Sequence, residues 1–391
     1  MAFLEIRLDR TRNAPSPVRF LTYPSCALGE PLAALSAGHR RVALRGSDDL
    51  LLALPVHRPS VHQLMASIYI GVSGWRYAPW RGTFYPPSLP HRRELWYASR
   101  VFPTIELNGS FYSLQRPEYF AAWHRETPPG FLFAIKGPRF ITHVKRLRDI
   151  EKPLANFFAS GLFNLMDKLG PILWQLPPQM RFDESLIERF LALLPHDTAA
   201  ALALARKRDH RMKGRARLAI DQPRPLRYAV EVRHSSFIDE RFIALLRRHN
   251  VALVIADSAK RWPTLHDLTA DFVYIRLHGD KRLYQSGYGA RTIERWTDHI
   301  AAWHAGRQPK GISTVAPRTA IPSQPRDVFC YFDNTDVKLR APRDAQTLMR
   351  KLGCKPLAAH ERERTSSERS PQRPTATRSR SGSSRMSANV R

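Results

Sequence analysis

The sequence predicts an α/β fold, a single (β/α)8 TIM-type barrel flanked by disordered N- and C-terminal extensions. Three observations carry that expectation. Eight short apolar runs of strand character recur along the chain, helical patterns separate most of them, and each run closes on polar or charged residues. A barrel of this kind takes roughly 250 residues, and the chain has 391. Its strands end at one common mouth, so the closing polar residues should converge there.

The first run, Ile68–Ser73, feeds a long loop to Pro87 that carries Trp75, Trp80 and Tyr85. Such a loop either binds a ligand or plugs the barrel with buried rings. A helix over 91–100 follows. The second run, Thr104–Asn108, alternates so that Glu106 and Asn108 share a face opposite Ile105 and Leu107. Phe111 and Tyr112 lie just beyond, and Pro117 suits the first turn of the next helix. The third run, Phe131–Lys136, ends on a lysine and continues through Arg139 to His143. A lysine closing an apolar strand is an anion anchor, or a nucleophile where burial depresses its pKa; without a second cue the anchor is favoured.

Pro153 opens a helix with an apolar stripe that includes Phe157, Phe158 and Leu162. The fourth run, Pro171–Gln175, presents Gln175, and residues 184–194 are again helical. The basic stretch 201–227, with nine Lys or Arg against two Asp, reads as an exposed insertion. The fifth run starts at Tyr228 and stops at Glu231, Arg233 and His234. Three such groups at the end of a buried strand are costly unless they line a wet cavity. Asp239 is placed to cap the helix that follows.

The sixth run, Val251–Asp257, is followed by a link with Pro263 inside that is too short for a full helix. The seventh, Phe272–His278, puts Arg276 and His278 on one face and leads into a Gly-rich basic loop through Tyr284, where barrels often hold phosphate. A helix over 292–303 and a Pro-rich link precede the eighth run, Val328–Asn334, and a helix over 342–352 closes the barrel.

These boundaries give a poorly ordered extension over 1–64, a barrel over 65–357 and a disordered basic Ser/Arg tail over 358–391. Met65, directly before the first run, is the expected start of the functional protein. The three cysteines are too few and too scattered for a disulfide framework, and no apolar run reaches membrane-span length, so a cytoplasmic location without membrane contact is expected. The formal net charge of +28 raises the question of nucleic acid. Residues 360–391 hold eight Arg against three Glu and residues 1–64 eight Arg against five acids; with the stretch 201–227 they account for +15 of that charge, and +13 remains on the rest of the barrel.

The segments Ile70-Gly71-Val72-Ser73-Gly74-Trp75, Glu106-Leu107-Asn108, Phe133-Ala134-Ile135-Lys136, Trp174-Gln175-Leu176-Pro177-Pro178, Glu231-Val232-Arg233-His234, Ala256-Asp257-Ser258, Tyr274 to Gly279 and Tyr331-Phe332-Asp333-Asn334 occur in order. On these, residues 68–352 resemble the YecE-like domain-of-unknown-function family 72. The resemblance implies a TIM-type barrel with these strand ends at one mouth, and no reaction. Ser236 departs from an aromatic favoured by the family, and Thr335-Asp336-Val337 replaces a smaller turn.

The mouth so assembled assigns catalytic roles to Glu106, Glu231, Asp257 and His278, which are also the candidate ligands for a divalent metal cofactor. Trp75, Asn108, Tyr112, Lys136, His143, Gln175, Arg233, His234, Arg276, Tyr284 and Asn334 are the candidate substrate-binding residues. The reading is an enzyme, by reaction type a hydrolase, acting on a phosphate- or carboxylate-bearing small molecule. The alternatives are a nucleic-acid-binding or processing barrel, with the aromatic loop stacking on bases, and a non-catalytic scaffold or ligand sensor. Residue by residue, the competing account is an ion pair tying strand ends together, as Glu231 with Arg276. Ligand carboxylates would let Glu231→Gln and Asp257→Asn keep stability while abolishing binding; a structural pair reverses this.

Overall fold

A computed structural model of the chain describes residues 66–317, 322–334 and 340–357. The expected extension, tail and start at Met65, and the Thr335-Asp336-Val337 turn, lie outside the described residues. Eight strands form one closed parallel barrel in sequential order. They are β1 (Ile68–Ser73), β2 (Thr104–Leu107), β3 (Leu132–Lys136), β4 (Leu169–Gln175), β5 (Tyr228–Glu231), β6 (Ala252–Asp257), β7 (Phe272–Leu277) and β8 (Asp327–Phe332). Each falls on a run expected from the sequence, with ends moved by a few residues at most.

Two apolar layers sandwich the sheet. The lumen holds Ala134, Leu173, Ala229, Ala252, Val254, Ala256, Phe272, Tyr274, Phe329 and Tyr331. Their sizes are complementary: alanines on β3, β5 and β6 leave room for the four large rings of β7 and β8, which pack in pairs, Tyr274 on Tyr331 at 5.1 Å and Phe272 on Phe329 at 6.0 Å. On β1 the room comes from Gly71, where a Cβ would lie 2.0 Å from the Thr104 carbonyl oxygen. The outward faces of the same strands pack on the helices through Ile70, Val72, Ile105, Leu253, Ile255 and Phe332.

The helices follow local rules. Pro117 occupies the first turn of α3 (Pro117–Glu126), the helix after α1 (Glu94–Val101) and the single turn α2 (Gly109–Tyr112). α4 (Glu151–Ala159) buries Phe157 and Phe158. Asp183, Asp197 and Asp239 accept backbone hydrogen bonds at the starts of α5 (Glu184–Ala192), α6 (Thr198–Arg206) and α7 (Glu240–Arg248), at 3.0, 2.7 and 2.8 Å. α8 (Ala290–His304) and α9 (Arg340–Lys351) complete the ring.

Two expectations change. The basic stretch 201–227 is not wholly an exposed insertion: its first residues finish α6, which packs on α4 with Ala201 and Ala205 buried, and Met212 anchors the following turn. Alternating alanines in an otherwise basic segment supply a narrow apolar stripe. The aromatic loop after β1 neither lines nor plugs the lumen: Trp80, Tyr85 and Trp75 are buried in the outer core, and the Tyr85 hydroxyl donates to the Trp75 carbonyl at 2.6 Å. It therefore offers no platform for stacking bases. The β6–β7 link, as expected, has no helix among its residues. Buried Asp267 fixes it instead, accepting from the backbone of Val315 and Ala316 at 2.8 and 2.9 Å.

Candidate active site

Side-chain alternation decides what reaches the mouth. Ser73, Glu106, Lys136, Gln175, Glu231, Arg276 and Asp333 continue the inward series of their strands, one layer above the rings of Tyr274 and Tyr331. At the centre lies Arg276, fully buried. Its Nε and Nη2 donate to the two oxygens of Glu106 at 3.0 and 2.8 Å, its Nη1 to Glu231 at 2.5 Å, and its Nη2 also to Asp333 at 2.9 Å. Glu106 further accepts from Ser73 Oγ at 2.5 Å and Tyr274 OH at 2.8 Å. Both Glu106 oxygens are thus saturated by donors, which makes it a floor strut and leaves it no capacity to act as a base. Arg276 is likewise consumed, and it stands between Glu106 and Glu231 where a metal cation would have to sit. Among the described residues no three His, Cys, Asp or Glu side chains are grouped to hold a metal ion.

Above this floor the chemistry is less tied down. Burial pushes the Glu231 carboxyl up, but Arg233 and Arg276 outweigh it and hold Glu231 well below the usual carboxylate range. Asp333 is held low in the same way, burial being overcome by Arg276 and a hydrogen bond from His278. His278 Nδ1 lies 3.0 Å from Asp333 Oδ2, and an ionised carboxylate only accepts, so the ring donates from Nδ1. The other nitrogen, Nε2, is buried without a hydrogen-bond partner among the described residues, 3.7 Å from Glu231 Oε1 and walled by the rings of Trp262 and Tyr284. Arg233 donates to Glu231 Oε1 at 2.8 Å, lies 3.7 Å over the Trp262 ring and reaches the Tyr284 hydroxyl at 3.3 Å. Tyr284 itself takes a left-handed φ of 61°, a strained conformation in the loop over the mouth.

Lys136 Nζ lies 4.5 Å from the centre of the Phe111 ring. Burial first and Arg276 second depress its pKa to about 8. His143 packs edge-on against the same ring at 5.2 Å, and burial with the cations Arg233, Arg139 and Lys136 holds its pKa down to about 4. It is neutral at pH 7. Gln175 sits beside Glu231 in the sheet register and is buried. Asn108 donates to Ser73 Oγ at 2.9 Å and also lines an adjoining cavity of about 480 Å³ with Trp75, Arg76, Gln115, Tyr119 and Trp123.

The remaining candidates lie elsewhere. Asp257 follows Ala256, whose side chain is in the lumen, so it points outward, and burial raises its pKa there. Asn334 is turned outward by the same alternation and donates to Asp344 and the Ser286 carbonyl, both at 3.1 Å. His234 Nδ1 caps the turn Ser235–Phe237, accepting from the Ser236 amide at 3.1 Å. Trp75 is buried in the outer core against Trp123 and Phe133, and Tyr112 is 71 % exposed, its neighbour Phe111 facing Lys136 instead. Ser73, Tyr274, Asp333, Trp262 and Phe111 are the site residues that sequence reasoning missed. For Asp333 a signal existed, since β8 pairs with β7 and places it level with His278. Asp257→Asn should therefore leave the melting temperature within about 2 °C and ligand affinity unchanged; a lost ligand response in that variant would return Asp257 to the site.

The family described as "Protein of unknown function DUF72" matches residues 69–369. UPF0759 protein YecE of Escherichia coli strain K12 is 25% identical over 244 residues, covering 62% of this chain and 84% of YecE. UPF0759 protein YunF of Bacillus subtilis is 32% identical over 116 residues, which are 28% of this chain and 40% of YunF, so the chain spans under half of that relative. The crystal structure of a DUF72 family protein from Thermotoga maritima superposes with a TM-score of 0.56 at 23% identity over 73% of this chain and 99% of that one. One from Enterococcus faecalis gives 0.52 at 15% identity, covering 74% and 96%. These two likenesses speak to the fold.

Proposed function

From the premise that the chain belongs to the DUF72 family, we propose that its barrel mouth binds a small anionic molecule and that His278, oriented by Asp333, moves a proton on it. The observation that carries this reading is a buried cation, Lys136, with no carboxylate within ion-pair distance among the described residues, in the same mouth as a histidine whose far nitrogen is unsatisfied. Lys136 and the guanidinium face of Arg233 on Trp262 supply the anion contacts, and the Asp333–His278 geometry is that of an oriented acid–base group. A phosphate or carboxylate suits these donors.

Thermal unfolding in inorganic phosphate at fixed ionic strength tests the reading. Saturation at a hundred times Kd stabilises a folded protein by about 2.7 kcal/mol, or roughly 5 to 10 °C for a domain of this size. Wild type should show that rise and Lys136→Met should not. An equal rise in both proteins, or none in wild type, removes the reading. An oligonucleotide partner would instead bind with an affinity that falls steeply as salt increases.

A further inference from the structure

Lys136 differs from the other two lumen cations. Arg276 and Arg233 are each ion-paired with a carboxylate, whereas among the described residues none lies within ion-pair distance of the Lys136 amine. The amine rests on the Phe111 ring at the C-terminal end of β3, 8 % exposed, so it is shielded by protein yet open to the mouth. Beyond attracting an anion, an amine so shielded can act as a nucleophile, because desolvation next to a second cation keeps part of it unprotonated. Its pKa of about 8 fits that requirement.

We propose that Lys136 is an imine-forming residue and that the anionic ligand of the mouth carries an aldehyde or ketone group. This deepens the anion-binding reading and rests on it. The lone pair of the neutral amine adds to the carbonyl carbon, forming a C–N bond while the C=O pair moves to oxygen. That oxygen gains a proton as nitrogen loses one, giving a carbinolamine. The hydroxyl then leaves as water with a second proton, the nitrogen lone pair forms C=N, and the iminium loses its remaining proton reversibly. No oxidant or reductant enters. His143 is neutral and packs on the same Phe111 ring, and in this proposal it relays the first proton, while Arg233, already paired with Glu231, offers its remaining N–H groups to the anionic group.

The test is reductive trapping. The full chain is incubated with pyruvate, a small anionic ketone, and sodium cyanoborohydride, and reduced adducts are located by peptide mass mapping. One dominant adduct at Lys136 is expected, forming at least about ten-fold faster at pH 7 than at any surface lysine, since an ordinary lysine is far less deprotonated there. Its rate should level off above pH about 8, where surface labelling continues to climb. Lys136→Arg should lose the adduct, and the mapped position in wild type decides the matter if that variant misfolds. Labelling spread over surface lysines with none at Lys136 overturns the proposal. The phosphate-induced melting shift of wild type separates the two ideas: a shift without the adduct removes the imine and leaves the anion site, whereas absence of both removes both.

Discussion

Arg276→Met should be among the most damaging single changes in the barrel, lowering stability by about 3 to 5 kcal/mol or more in urea denaturation. The side chain is fully buried and satisfies Glu106, Glu231 and Asp333 together. Methionine fills much of the volume but takes from Glu106, Glu231 and Asp333 their shared cation, leaving Glu231 to Arg233, Asp333 to His278 and Glu106 to two hydroxyls. Loss of Arg276 removes a main cause that holds the Glu231 and Asp333 carboxyls low, so their pKa values rise in the variant. The sign follows: a carboxyl raised by folding favours the native state at low pH and loses that contribution as pH climbs through its folded pKa. In wild type Glu231 and Asp333 are depressed, so their contribution is present at neutral pH and disappears as pH falls below the ordinary carboxylate range. The stability gap between the two proteins should therefore narrow on acidification from pH 7 to about pH 4. A gap that stays constant, or a variant as stable as the parent at pH 7, would show that the three carboxylates do not depend on Arg276.

Gly71→Ala is the second large effect. The added methyl would meet the Thr104 carbonyl oxygen at 2.0 Å, and that atom is backbone in the neighbouring strand. No rotamer relieves the clash, so β1 and β2 must separate where Ser73 and Glu106 reach the site. Overpacking of this kind costs about 1 to 3 kcal/mol and more where backbone must move. The phosphate response should weaken along with the melting temperature, because Ser73 supports both Glu106 and Asn108. An alanine variant that melts with wild type would mean that the strands are further apart than described.

The barrel was legible because each strand leaves the same mark, an apolar run stopped by polar residues. Inward or outward direction was legible only where the two faces of a strand differ in chemistry. On β2, Glu106 between Ile105 and Leu107 declares its side, and on β7 Arg276 and His278 do the same. β6 and β8 are apolar on both faces, as parallel strands are. Nothing in Val-Ile-Ala-Asp or Phe-Asp-Asn says which of the last residues turns inward, hence Asp257 and Asn334 were assigned to the mouth and Asp333 was left out. Beyond the strand ends no period helps, which accounts for Trp75, Tyr112 and His234. The role of Arg276 was hidden for another reason. A guanidinium reads the same whether its carboxylates come from a substrate or from other strands of the barrel.

The central guanidinium also has a place in time. Its partners lie 170 residues away at Glu106, 203 at Ser73, 45 at Glu231 and 57 at Asp333. Strands β1 to β6 bring Glu106 and Glu231 into the lumen with Arg233, which reaches only Glu231, so Glu106 has no cation partner among the described residues until β7 supplies Arg276. Without β7 the lumen would have to stay wet to hydrate Glu106, which denies a partial barrel a dry core. Completion by β7 and β8 then removes that water and links residues from opposite ends of the chain in a single step. The electrostatics of the mouth thus make partial barrels poor resting states, and the slow, long-range contacts that close the fold are the ones that hold it closed.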